Sequence, residues 1–403
     1  MVNFNVQDYN DQTGANVEID LVPSETYQDF YREILSDAKN GGGLFDGYLM
    51  DSAPMGEVGD TFGGLVDLTP YINADRNIDW TDVLSPFRQW VGSYGEKTYM
   101  MPLDGDMFSL YYSKDALKHF GLNVPRTWDE YLAVAKAVHG KEFNGKTLNG
   151  NCFATGGGGL IHFSIQLIMA SMTQSQGTST GSLFDTEDMN PLLGEAFTET
   201  VKFMEEVLQY SSDDVFDPNP YVPLANLNNG ECMLTYFWGD QMKLSGQDSY
   251  LKQNGQLGVG RTPGSKKVLD RETGRLVDCT AELCQYGEYY QDIGWVNYSP
   301  YIANGGHGLA ISANTTPEKQ NAMADFLMFA GSKAQTDKYT IQNATADQSI
   351  YTAQDPTRKS HLVPDKWIAQ GYDEELSKEY TQSLMKTALS KSEYMLCLFF
   401  LAI

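Results

Sequence analysis

The chain is poor in basic groups: 28 Lys and Arg stand against 53 Asp and Glu, a formal charge of −25, and no basic run occurs anywhere in its 403 residues. That sign repels phosphate backbones and anionic lipid surfaces, so nucleic acid is excluded as a partner. The acidity reads mainly as solubility and is compatible with a neutral or cationic small ligand. A long apolar run is also missing. The closing LCLFFLAI has eight apolar residues, far short of a membrane span. The opening MVNFNVQDYNDQTG lacks a basic stretch followed by an apolar one, so no signal peptide is visible. Both ends read as cuts in a longer polypeptide.

Chemistry-bearing motifs are equally scarce. The five cysteines (Cys152, Cys232, Cys279, Cys284 and Cys397) form no CxxC pair and no zinc-spaced cluster with histidine. Cys279 and Cys284 either close a small loop disulfide or remain separate thiols. Three glycosylation sequons, at Asn297, Asn314 and Asn343, are near chance for this length. Five scattered histidines make no HExxH. GTSTG at 177–181 spells a nucleophile elbow but sits in a polar stretch, without the strand-to-helix context that motif requires. Asp75, Asn77 and Asp79 start like a calcium loop, yet Trp80 takes the place of the required Gly and Pro86 that of the closing Glu. Gly156–Gly159 lack the Lys-Ser/Thr of a phosphate loop. These exclusions predict neither an enzyme nor a bound metal or cofactor.

What is present is a globular composition, 41% hydrophobic and 12% aromatic, with length for two domains. Phe4, Val6 and Tyr9 recur at helical spacing up to Gly14, and Val17, Ile19 and Leu21 alternate as a strand. A helix through Tyr27, Phe30, Tyr31, Ile34 and Leu35 then leads to Gly41–Gly43 and the strand FDGYLMD, which ends at Asp51 and Ser52. Helix–strand alternation predicts parallel pairing with helices on the sheet faces. Two strand-like runs flank Asp104-Gly105-Asp106. Thr127 as N-cap and Glu130 three later predict a capping box for the next helix. The segment 171–190 reads as an exposed loop and 265–293 as a hairpin or loop. CMLTYF is a buried strand that ends at Trp238, Gly239 and Asp240, and a further strand and helix follow Gly305 and Pro317.

Asp104 and Asp106 are a poor catalytic pair, because carboxylates two residues apart in one turn do not straddle a sugar ring. They suit hydrogen bonds to a polar ligand or a turn. Aromatics gather at loop or strand ends (Tyr111, Tyr112, Trp238, Trp295, Tyr298, Tyr301), where ring faces stack on sugars and carboxylates or amides bond the hydroxyls. For most of them a core role is as good a reading. Trp238 stands out, at the end of an apolar strand where open α/β sheets place ligand contacts.

Six segments in order, YNDQTGANVEIDLVP with FDGYLMDS, LVDLTPYI, YGEKTYMMPLDGDMFSLYYSKDALKHFGLNVPRTWDEYL, NNGECMLTYFWGD, GVGRTPG and GGHGLAISANT, give the chain its resemblance. It resembles the maltose-binding-protein-like, sugar-binding group of extracellular solute-binding proteins that serve ABC importers. The resemblance implies an α/β, two-lobed periplasmic-binding-protein-like (type II) fold with three hinge crossings, near Asp104–Tyr111, Gly258–Gly264 and Leu309–Thr316. Lobe 1 would comprise 1–107 and 260–312, and lobe 2 would comprise 108–259 and 313–403. Ligand-contact positions carried over are Asp51, Ser52, Asp104, Gly105, Asp106, Tyr111, Trp238, Asp240, Gly305, Gly306 and His307, with Gly156–Gly159 and Phe163 weaker. The implied protein is an extracytoplasmic monomer that closes on a saccharide or similar polar solute and presents it to importer membrane subunits. A ligand-sensing ectodomain coupled to a signalling domain is the alternative. The sequence departs from the group in lacking a strand before its first helix and in its apolar ending.

Overall fold

The computed structural model describes residues 2–24, 27–41, 43–156, 160–176, 181–245, 257–300, 306–344, 352 and 354–388. The first helix, α1 (Val2–Thr13), sets Tyr9 edge-on to Phe326 and Phe329, at 5.8 and 5.3 Å. The strand expected over Val17–Leu21 does not form: 14–24 run without a ladder partner among the described residues, and Leu21 is 49% exposed. Alternation marks a face but supplies no neighbouring strand. The Asn10 side chain takes up the Val17 backbone instead, donating to its carbonyl at 2.8 Å and accepting from its N–H at 2.9 Å. Helix α2 (Tyr27–Asn40) follows as the spacing predicts.

One sheet orders β1 (Gly47–Met50), β7 (Gly308–Ile311) and β2 (Met100–Pro102), with both ladders antiparallel. The expected parallel neighbours are therefore not neighbours. β1 and β2 do run the same way, but β7 returns from far along the sequence and inserts between them in the opposite sense. Such an insertion leaves no trace in local periodicity.

The second sheet orders β6 (Leu257–Gly260), β3 (Ser109–Ser113), β5 (Cys232–Phe237) and β4 (Asn149–Asn151), antiparallel except for the β5–β4 pair. β3 and β5 are buried at every position, the signature of central strands covered on both faces. Helix α3 (Trp128–Val138) covers β4 and β5, and α7 (Glu374–Ala388) covers β6 and β3. The predicted N-cap forms, Thr127 Oγ1 accepting from Glu130 N at 3.1 Å. The reciprocal bond lands one residue early: Glu130 accepts from Arg126 N at 2.7 Å and also from the Arg126 guanidinium.

Cys152–Cys232 and Cys279–Cys284 are disulfide-bonded. The first joins the residue after β4 to the start of β5 across 80 residues, a pairing that spacing did not suggest. The second resolves the open choice for that loop. The stretch expected as an exposed loop from 171 begins instead inside α4 (Leu160–Thr173), and Ser171, Met172, Thr173, Gln174 and Ser175 are all buried. The GTSTG motif lies mostly outside the described residues.

The chain leaves the first sheet at Pro102 and enters the second at Ser109. Elsewhere the contacts differ from the expected division at 260 and 312. Gly264 bridges Thr127, and the hairpin Lys267–Asp270 with Arg275–Asp278 packs on α4 and on α5 (Glu195–Leu208), so this segment stays with the second sheet. After β7, α6 (Pro317–Ala330) packs on β7 and α1 and stays with the first. Side-chain packing sets these memberships, and strand and turn signals do not reveal it.

Candidate functional site

The linker Leu103–Phe108 runs beside His307, at the start of β7. Leu103 N and Asp104 N both donate to the His307 carbonyl, at 3.1 and 2.9 Å. Two glycines let the strands come this close. Gly306 has φ of +74°, and a Cβ there would stand 2.0 Å from the Asp104 carbonyl oxygen. A Cβ on Gly105 would stand 2.4 Å from the Pro356 carbonyl oxygen. The acidic Gly turn is thus a three-segment junction, with Pro356 the member that sequence reading did not find.

Carboxylates converge on it. Asp104, nearly buried, accepts from Asp355 N at 2.7 Å, and its other oxygen lies 3.7 Å from His307 Nδ1. Asp106 is half-buried beside it. Desolvation and then the Asp104 charge push the Asp106 carboxyl well above its ordinary range. Desolvation opposes charge on His307, but the Asp104 contact and the charges of Asp106, Asp104 and Asp51 prevail and push its imidazole up to about 9. Asp240, 3% exposed, accepts from the Tyr221 hydroxyl at 2.8 Å. Burial raises it to about 6, against that bond and the Lys243 charge. Asp355 is fully buried, and desolvation, Asp240 and Asp104 raise it well above the carboxylate range. Lys243, also buried, donates to the carbonyls of Thr352 and Gln354.

Asp104, Asp106 and His307 bring one potential ligand atom each to within 4.8 Å of one another, a spacing at which a small cation can be held. Asp51, at the end of β1, is buried and accepts from Ala53 N at 2.8 Å, and its charge reaches both Asp106 and His307. Ser52 is half-buried next to it.

The aromatic wall forms at the end of β5. Trp238, half-buried, stacks on Phe108 at 5.2 Å and meets Phe163 edge-on at 5.6 Å. Tyr111 departs from its expected place: it is fully buried, and its hydroxyl donates to the Trp238 carbonyl at 3.0 Å, so it positions the wall and presents nothing to a ligand. Its place on a strand covered on both faces requires this. Tyr112 is likewise core, and Tyr298 is buried under the Arg261 guanidinium, 4.1 Å from its ring centre. Gly305, Tyr301 and Gly157–Gly159 lie outside the described residues.

The structure therefore groups Asp104, Gly105, Asp106, Gly306 and His307 at one junction, with Asp51 and Asp240 in electrostatic reach, and adds Asp355, Lys243, Tyr221 and Phe108. Asp355 sits 251 residues from Asp104. The only local hint was an Asp before Pro, an extended dipeptide of no particular chemistry. A surface depression of about 1090 Å³, lined by Tyr9, Arg76, Phe329 and Lys333 among others, shares no residue with this cluster.

Solved structures of similar architecture include solute-binding proteins of ABC transporters. A ribitol-bound one from Agrobacterium radiobacter K84 matches with a TM-score of 0.70 at 17% identity, over 96% of this chain and 82% of that one. Maltose-bound MalE3 of T. maritima matches with 0.64 at 18% identity, over 96% and 84%. The likeness makes this an α/β fold of the type II periplasmic-binding-protein kind. In sequence, a multiple sugar-binding protein of Streptococcus mutans is 35% identical over 63 residues, a match spanning 14% of this chain and 15% of that relative. Residues 3–337 match the family described as bacterial extracellular solute-binding protein, which covers both sheets and every strand that frames the junction. The chain belongs to that family of extracellular solute-binding proteins.

Proposed function

We propose that this chain is an extracytoplasmic binding protein that closes around a carbohydrate or similar polar solute and presents it to an ABC importer. The observation that carries this reading is the meeting, where the chain passes between its two sheets, of an aromatic wall with carboxylates on separate elements. Trp238, braced from behind by the buried Phe108, offers a ring face to a sugar, and Asp104, Asp106 and Asp240 accept from its hydroxyls. Because the site draws on segments attached to both sheets, bound solute favours the closed arrangement over the open one, and an importer reads that shape. The role is binding without turnover, and the protein acts as a monomer. The ribitol and maltose held by the neighbouring structures support the solute class.

Intrinsic tryptophan fluorescence, titrated with monosaccharides, oligosaccharides and polyols and followed by recovery of the solute, tests the reading. A saturable change with intact solute is the expected result. Cleaved solute points to an enzyme, and a folded protein silent to the whole panel defeats the saccharide assignment.

A further inference from the structure

The junction crowds together more carboxyl groups than the donors of a neutral sugar can satisfy. Asp51, Asp104, Asp106, Asp240 and Asp355 come from four separate stretches of chain. The cations among them are Lys243 and His307. Lys243 is turned to backbone carbonyls, its ammonium donating to Thr352 and Gln354. His307 stands beside Asp104, with 49% of its side chain exposed.

A second observation is independent of that count. Both carboxylate oxygens of Asp355 are buried without a hydrogen-bond partner among the described residues, and so is Oδ1 of Asp240. The Tyr380 hydroxyl, also buried and unpartnered, closes the same space: a Cβ built on Gly239 would lie 2.7 Å from it and 3.0 Å from Asp355 Oδ2. An unsatisfied buried acceptor is costly, and more so when it is charged. A donor that brings positive charge relieves this cost, while a neutral hydroxyl donates one hydrogen and leaves the charge in place.

We infer that the solute carries an ammonium group, of the amino-sugar or amino-polyol class, seated between Asp104 and Asp106 on one side and Asp240 and Asp355 on the other. Three N–H donors on a compact cation suit acceptors that approach from several directions, and the adjacent Trp238 ring adds a face that favours cations. Gly105, Gly239 and Gly306 keep the backbones close enough to crowd the carboxylates, since a side chain at any of them would push the segments apart. The inference rests on the binding-protein reading and narrows its solute class.

The test is calorimetric titration of chelator-treated protein with glucosamine and glucamine, against their neutral counterparts glucose, N-acetylglucosamine and glucitol. The neutral set is repeated with added calcium or manganese chloride. The expected result is at least tenfold tighter binding of the amines, with that preference over the neutral solutes shrinking severalfold in D240N and in D355N. Neutral solutes bound as tightly as the amines, without metal, overturn the ammonium inference and leave the binding function standing. Neutral solutes bound only with added metal overturn it too, because the missing cation is then the metal. Silence from all five overturns the inference together with the saccharide reading.

Discussion

The two halves of the molecule are held together by different chemistry. Around the second sheet the cohesion is aromatic and covalent. Phe153 stacks on Tyr236 at 4.7 Å, Trp128 meets Phe203 and Tyr236 edge-on, and Cys152–Cys232 joins neighbouring strands. Around the first sheet it is polar and ionic. Arg358, 1% exposed, donates to Thr336 Oγ1 at 2.7 Å and to the Gly331 carbonyl at 2.5 Å. His361, fully buried, lies 3.1 Å from Asp337, and Asp8 gathers Gln335, Lys338 and Tyr339. Apolar burial and disulfides are indifferent to pH, whereas buried ionic contacts respond steeply. The halves should therefore fail under different stresses.

Removing the Cys152–Cys232 bond is the strongest test. A cross-link closing an 80-residue loop contributes about 4 kcal/mol by restricting the unfolded chain. C152A/C232A should lose about that much in urea, with hydrogen exchange rising over β3 to β5 and unchanged over β1, β7 and β2. Equal losses on both sides would dissolve the contrast.

Acid should strike the other half. Burial depresses the His361 imidazole to about 4, against the pull of Asp337. An imidazole lower in the folded than in the unfolded state gives stability that is complete above about 6.5 and lost as pH falls from there to about 4. The shift corresponds to about 3 kcal/mol, since each pH unit is worth about 1.4. Asp337, held near 2, titrates below that window and leaves its sign unchanged. Melting temperature should fall between pH 6.5 and 4, with exchange rising first around 331–362, and H361Q should flatten the slope. An unchanged slope in that variant would assign the acid sensitivity to carboxylates instead of the imidazole.

How much of this was legible follows from how each feature is encoded. The helix at Thr127 and the burial of β5 were readable because caps and apolar runs are local. The Asp104–His307 junction came through resemblance, since nothing local links residues two hundred positions apart. Asp355 and the Cys152–Cys232 pair were invisible, because only the folded chain brings β4, β5 and the 354–358 segment to their neighbours. Tyr111 misled for the opposite reason. An aromatic on a strand reads the same whether its ring faces a ligand or the core, and the ladder on both sides of β3 put it in the core.

The junction between the halves provides the next test. A side chain at Gly306 meets both a positive φ and a backbone oxygen 2.0 Å away. G306A should cost about 2–3 kcal/mol of strain, through a displaced Asp104 and a side chain forced into left-handed backbone. It should weaken solute binding more than it lowers the melting temperature of either half. Loss of stability with affinity intact would make the crossing structural only.

The smallest expected effect separates the two aromatics of the site. Trp238→Ala removes a half-buried ring that stacks on Phe108 at the site, and a lost stacking partner is worth about 1–1.5 kcal/mol, or roughly tenfold in affinity. Tyr111→Phe removes only a hydroxyl bonded to the Trp238 carbonyl, a contact worth about 1 kcal/mol of stability with no direct reach to the solute. The first variant should therefore weaken solute binding about tenfold and also lower the melting temperature, because its ring packs on Phe108 and Phe163, whereas the second should lower the melting temperature slightly and leave affinity unchanged. Titration and thermal melts on the pair measure both. If Tyr111→Phe lost as much affinity as Trp238→Ala, the hydroxyl's hold on the Trp238 backbone would be the determinant of binding, and the site would owe more to the second sheet's rigidity than to the aromatic face it presents.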